Sequence, residues 1–331
     1  GEICAARGWL GPAAVTEFDA AWLAWQGQQP TQLRPGPTVE SATTNAGRDL
    51  LQTQVPGDEG SLDSAAPLPR PFGRYTILKC LGAGGMGVVW QAFDPELKRT
   101  VALKEIRAGG SGSQDLLDRF TREARIAARL RHPNIVGVHD VGEIDGRRYL
   151  TMDFVEGRTL AQRLDDGREA RRQGRPDGLI SLRDKIRLLA DVSQAVGYAH
   201  GEAVTHRDLK PGNIIVDAEG RPHVIDFGLA KESRPGVDLG TAHAQTLSGA
   251  VLGTPAYMRP EQASGRPSAI GPMTDVYALG AILYEVLTGR PPFEADGAGA
   301  MLLAILTQDP ARPKWRNRHV PTDLEAICLK A

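Results

Sequence analysis

His206-Arg207-Asp208-Leu209-Lys210-Pro211-Gly212-Asn213 sets a carboxylate, an amide and two cations within eight residues, and Asp226-Phe227-Gly228 follows thirteen residues after Asn213. Seven defined positions in one short window coincide by chance with a frequency of ~10⁻⁹ per start site, so the grouping is not an accident. The residue types suit phosphoryl transfer. That reaction needs the attacking hydroxyl held in line, which a carboxylate can do while accepting its proton. It also needs hard oxygen ligands for Mg²⁺, which an Asp carboxylate and an Asn carbonyl supply.

Upstream, Gly82-Ala83-Gly84-Gly85-Met86-Gly87 lies between two strand-like runs, Tyr75–Leu81 and Val88–Phe93. A dinucleotide fingerprint must open a helix, and this one does not. Between strands, a glycine-rich turn lets backbone N–H groups approach phosphates without interference from Cβ atoms, although a plain hairpin would look the same. Lys104 sits on a third run, Thr100–Ile106, and Glu123 on a helical stretch, Leu116–Leu130. Alone, the first reads as a solvated strand lysine and the second as a surface glutamate; together they are spaced to meet. Further helices are expected at Leu182–His200, Asp275–Leu287 and Gly299–Thr307, with Ser181 and Asp184 resembling a capping box. Strands precede helices, which indicates an α+β chain of two lobes.

Taken together these segments resemble the serine/threonine protein kinases of eukaryotic type found in bacteria, from about Arg74 to the C-terminus and in the expected order. The resemblance implies a bilobal protein-kinase fold, with an N-lobe at 74–152 and a C-lobe at 156–331, using ATP and Mg²⁺. Gly82, Ala83, Gly84, Gly85, Met86 and Gly87 would cover the ATP phosphates, and Lys104 would contact them, positioned by Glu123. Leu81, Val89, Ala102 and Ile215 would enclose the adenine. Met152 would be the gatekeeper, and the backbone at Asp153–Val155 would bond the adenine edge. Asp208 would be the catalytic base and Lys210 would neutralise the transferred group, while Asn213 and Asp226 would hold the metal. Lysine two residues after the base is the serine/threonine pattern, and Thr254, in Gly253-Thr254-Pro255-Ala256-Tyr257, would bond Asp208 and Lys210.

The resemblance places an activation segment between Asp226 and Glu261. Arg207 is expected to bind a phosphate there, with Thr246 and Ser248 as the modified hydroxyls, phosphorylated in trans during transient self-association. Two departures stand out. Arg259-Pro260-Glu261 has arginine where a small residue is usual. The chain also stops at Ala331, one or two helices early, so Glu261 is expected to lack its late arginine partner and the C-lobe to be truncated. The charged run Asp165–Gly178 is expected to be a solvated loop.

The 331 residues carry a net charge of -1, without the basic excess of a nucleic-acid binder. Three widely spaced cysteines argue against a disulfide framework or zinc site. The longest apolar run, Tyr277–Leu287, is too short for a membrane span, so the residues present are expected to make no membrane contact and to work in the cytoplasm. Between Gly27 and Gly73, 13 of 47 residues are Gly or Pro, and 27–73 is expected to be a disordered acidic linker. Ahead of it, Val15, Phe18, Trp22 and Trp25 fall on one helical face, so 1–26 is expected to be a short amphipathic helix. The expected partners are proteins bearing Ser or Thr. A catalytically impaired pseudokinase scaffold and a small-molecule kinase are the alternatives.

Overall fold

The computed structural model describes residues 68–84, 87–106, 121–175, 181–227, 255–264 and 271–331. The expected helix at 1–26, almost all of the linker, and Gly85, Met86, Thr246, Ser248 and Thr254 lie outside the described residues.

Strands β1 (Arg70–Phe72), β2 (Tyr75–Gly84), β3 (Gly87–Asp94), β4 (Arg99–Ile106), β5 (Val138–Ile144) and β6 (Arg147–Asp153) form one antiparallel sheet, ordered β1-β2-β3-β4-β6-β5. The sheet starts at Arg70, inside the stretch expected to be linker, because Phe72 is buried and pairs with Tyr75. β3 alternates buried and half-buried side chains, as a strand with one face on a core should. β4 is buried on both faces from Val101 to Glu105. Leu103 packs with Ile77, Trp90 and Tyr149 on one side, and Ala102 joins Leu150, Met152 and Ala124 on the other. Ala124 comes from helix α1 (121–127), which covers this second face. Lys104 therefore sits in a strand that is otherwise core.

Beyond Asp153 the chain enters a mainly helical lobe. Its helices are α2 (Leu160–Arg172), α3 (Leu182–Gly201), α4 (Pro260–Ala263), α5 (Pro272–Thr288), α6 (Ala298–Thr307), α7 (Pro313–Arg316) and α8 (Thr322–Lys330). In α3, Ile186, Leu189, Val192 and Val196 recur at helical spacing and are buried against Ile282 and Val286 of α5 or their neighbours. Burial of each such side chain stabilises by about 1.5–3 kcal/mol. Ser181 caps α3 by accepting the Asp184 N–H at 3.2 Å. The Asp184 carboxylate accepts from the Ser181 hydroxyl at 2.7 Å, rather than closing the reciprocal half of a capping box. A small sheet of β7 (Gly157–Thr159), β8 (Ile214–Asp217) and β9 (Pro222–Val224) lies where the lobes adjoin.

The expected loop at Asp165–Gly178 is instead helical as far as Arg172. Thr159 accepts the Gln162 N–H and Gln162 returns the bond, so α2 begins with a capping box. Leu160, Leu164 and Ala170 form its buried stripe. Asp165, Asp166 and Glu169 are exposed, whereas Arg168 and Arg171 turn toward the end of α5 at Glu285 and Gly289. Among the described residues no helix is long and apolar enough to cross a membrane.

Candidate active site

The segment after α3 is held from beneath. Asp275, fully buried near the start of α5, accepts backbone N–H groups from His206 and Arg207, both at 2.8 Å, and lies 2.8 Å from His200 Nε2. His206 is also fully buried; its Nε2 lies 2.9 Å from the Ile225 carbonyl, and its ring is 4.8 Å from that of Phe227. These bonds fasten Asp208 and Asp226 to one scaffold. Arg207 and Asp226 both adopt positive φ, 68° and 62°, a conformation that costs energy and needs such anchoring.

Above this scaffold the predicted residues gather. Lys210 Nζ lies 2.6 Å from Asp208 Oδ2, and the Asn213 amide donates to the Asp208 carbonyl at 2.8 Å. Lys104, reaching across from β4, places its Nζ 2.8 Å from Asp226 Oδ1. Val89, Ala102, Met152 and Val155 belong to one apolar cluster. Ile215 sits on β8, while Leu81 is exposed and outside these clusters. Gly82, Ala83 and Gly84 end β2. Gly87 has φ 147°, and an added Cβ would lie 1.8 Å from the Glu105 carbonyl, so its identity is set by the close approach of β4.

One expected contact is replaced. Lys104 pairs with Asp226, whereas Glu123 Oε1 lies 3.6 Å from Arg207 Nη1. The reason is electrostatic. The buried ammonium takes the nearer carboxylate, and the guanidinium takes the glutamate. Glu261, expected to lack its late arginine partner, has a local one: Arg259 Nε lies 2.9 Å from Glu261 Oε2.

The donor set suits Mg²⁺. Asp226 Oδ1 is buried with the Lys104 ammonium as its neighbour, and Asn213 spends its amide nitrogen on Asp208, which leaves its carbonyl oxygen as a donor. Among the described residues no three His, Cys, Asp or Glu side chains cluster as an all-protein metal site. That is the usual situation for Mg²⁺, which takes one or two protein ligands and completes its shell with phosphate and water.

Two buried acids escaped the sequence reading, Asp275 as the first residue of an expected helix and Glu285 inside the apolar run Tyr277–Leu287. Asp275 is the anchor described above. Glu285, 1% exposed, accepts from the Tyr257 hydroxyl and pairs with Arg168 of α2. Burial, together with the Glu285 charge, pushes the Tyr257 phenol well above its ordinary value, so it stays a donor. The signal that could have found both is a carboxylate inside an otherwise apolar helix.

Lys104 of the sheet thus meets Asp226 beside Asp208, Lys210 and Asn213. Residues 75–323 match the protein kinase domain family, and the chain belongs to that family. Its relatives include serine/threonine-protein kinase PknB of Mycolicibacterium smegmatis, 39% identical over 262 residues, which is 78% of this chain and 39% of that protein. Serine/threonine-protein kinase PrkC of Bacillus subtilis is 36% identical over 263 residues, 79% of this chain and 38% of PrkC. The chain thus spans about two fifths of the length of these relatives. The crystal structure of the Mycobacterium tuberculosis PknI kinase domain is similar at a TM-score of 0.59 and 25% identity, covering 80% of this chain and 91% of that one.

Proposed function

We propose that this chain transfers the γ-phosphate of ATP to serine and threonine hydroxyls of proteins, its own activation segment included, as a signalling enzyme. The observation that carries this is the meeting of Lys104 and Asp226, 2.8 Å apart across the cleft, beside the Asp208–Lys210 pair. Asp208 orients the substrate hydroxyl and accepts its proton, and Lys210 offsets charge on the group in transit. Asn213 and Asp226 hold Mg²⁺, which supplies charge to neutralise the phosphates.

Lys104 exchanges Asp226 for the phosphates when nucleotide enters, and Glu123 leaves Arg207 to support it. Arg207 then binds a phosphate on Thr246 or Ser248, added by a second copy of the chain. Gly82–Gly87 closes over the phosphates. Leu81, Val89, Ala102, Ile215 and Met152 hold the adenine, whose edge bonds the backbone at Asp153–Val155. Thr254 joins Asp208 and Lys210 on the substrate side. The PknB and PrkC names support the serine/threonine assignment.

Transfer of labelled γ-phosphate to a generic basic protein, followed by phosphoamino-acid analysis, tests the reading. Phosphoserine or phosphothreonine should appear with the parent chain and fall at least about a hundredfold in Asp208→Asn, the size of a general-base contribution. Label on tyrosine alone, or equal label from Asp208→Asn, contradicts it.

A further inference from the structure

The point where β6 ends is tied down in an unusual way. Asp153, its last residue, donates its backbone N–H to the Gly137 carbonyl at 2.9 Å. Its carboxylate returns to the same segment: Oδ2 accepts the Gly137 N–H at 3.0 Å, and Oδ1 lies 2.7 Å from His139 Nε2. A Cβ on residue 137 would lie 2.8 Å from Asp153 Oδ2, so the carboxylate occupies the space a side chain there would need.

His139 reaches this carboxylate through an irregularity of the sheet. Val138 is opposite Met152 and Asp140 is opposite Thr151, so His139 is an extra residue in β5, a β-bulge. Bulges cost ladder pairing and serve to re-aim a side chain. Here the re-aimed ring meets the carboxylate at the position that follows the gatekeeper. Behind it, Arg99 Nη1 lies 3.2 Å from His139 Nε2 and limits the ring's freedom to swing away.

We propose that His139 is a positioning residue for nucleotide binding: with Gly137 it clamps Asp153, fixing the backbone that receives the adenine edge. The proposal rests on the kinase reading above. His139 touches no reacting group, so it acts on affinity and not on the chemical step. Held by three bonds, the segment does not have to be ordered when nucleotide enters.

The test is titration of the full chain with a fluorescent ATP analogue in Mg²⁺, alongside steady-state transfer. His139→Ala should weaken nucleotide binding about three- to tenfold, with kcat at saturating ATP changed less than about twofold. His139→Gln, which restores a donor near the Nε2 position, should return affinity to within about twofold of the parent. Gly137→Ala displaces the same carboxylate from the other side and should weaken binding similarly; it also decides the matter if His139→Ala does not fold. Unchanged affinity in Gly137→Ala, or in a cooperatively melting His139→Ala, overturns the clamp, as does a loss of kcat with affinity intact. A parent chain without measurable nucleotide affinity overturns the kinase reading itself.

Discussion

Replacing Asp275 by alanine should damage this protein more than any exposed charge deletion. Its carboxylate receives three donors at 2.8 Å in a site with no solvent exposure: the N–H groups of His206 and Arg207, and His200 Nε2. Alanine leaves the two backbone donors buried and unpaired. Each carries a penalty of about 1–3 kcal/mol, so the variant should lose about 2–6 kcal/mol. That is a large part of a typical stability of roughly 5–15 kcal/mol. Asp275→Asn keeps one acceptor oxygen but turns an amide nitrogen toward a donor, so its loss should be smaller, about 2–3 kcal/mol. Urea unfolding followed by far-ultraviolet circular dichroism, which the helical lobe dominates, measures both, provided the m-value is unchanged. Activity at a temperature where the variant remains folded should also fall, because residues 206 and 207 lead directly into Asp208. A loss below about 1 kcal/mol with unchanged kcat would refute the argument that this carboxylate carries the catalytic segment.

Two further outcomes follow from buried charges. Arg168→Ala leaves Glu285, 1% exposed, with only the Tyr257 hydroxyl, and should cost about 3–5 kcal/mol; adding Glu285→Gln should recover part of it in a double-mutant cycle. Additive losses in that cycle would show that the pair does not interact. For Asp217, burial alone would raise the carboxyl, but hydrogen bonds from His223 and from the Arg221 N–H and guanidinium outweigh it and hold the pKa at about 2, against an ordinary 3.8. A depressed carboxyl contributes fully above its unfolded value and loses that contribution as the pH falls through its folded value. The melting advantage of the parent over Asp217→Asn should therefore be complete above about pH 4 and fade toward about pH 2. A constant difference over that window would contradict the assignment.

The motifs legible in the sequence are those whose meaning is local. His206–Asn213 and Asp226 carry their chemistry in residue type and short spacing, and β3 carries the two-residue alternation of a half-buried strand. The misread parts depend on distant neighbours. Asp165–Gly178 looks solvated because its charges outnumber its apolar residues, yet the Leu160–Leu164 stripe and the Thr159 cap suffice to make a helix. Arg70-Pro71-Phe72 reads as linker because prolines surround it, and it becomes a strand because Tyr75–Ile77 offers a partner at the sheet edge. Charges choose their partners in space, so no spacing rule foretells that Glu123 meets Arg207 and Lys104 meets Asp226. His139 was invisible for the same reason, since its role depends on a bulge.

The central claim is that Asp226 and Lys104 face a metal-bound triphosphate in one cleft. The most direct measurement is the affinity of the parent chain and of Asp226→Asn for adenosine and for ATP, with and without Mg²⁺. Adenosine should bind both proteins alike, and Mg²⁺ should tighten ATP binding only in the parent. If Asp226→Asn keeps the whole Mg²⁺-dependent gain, Asp226 does not hold the metal and the proposed site is wrong.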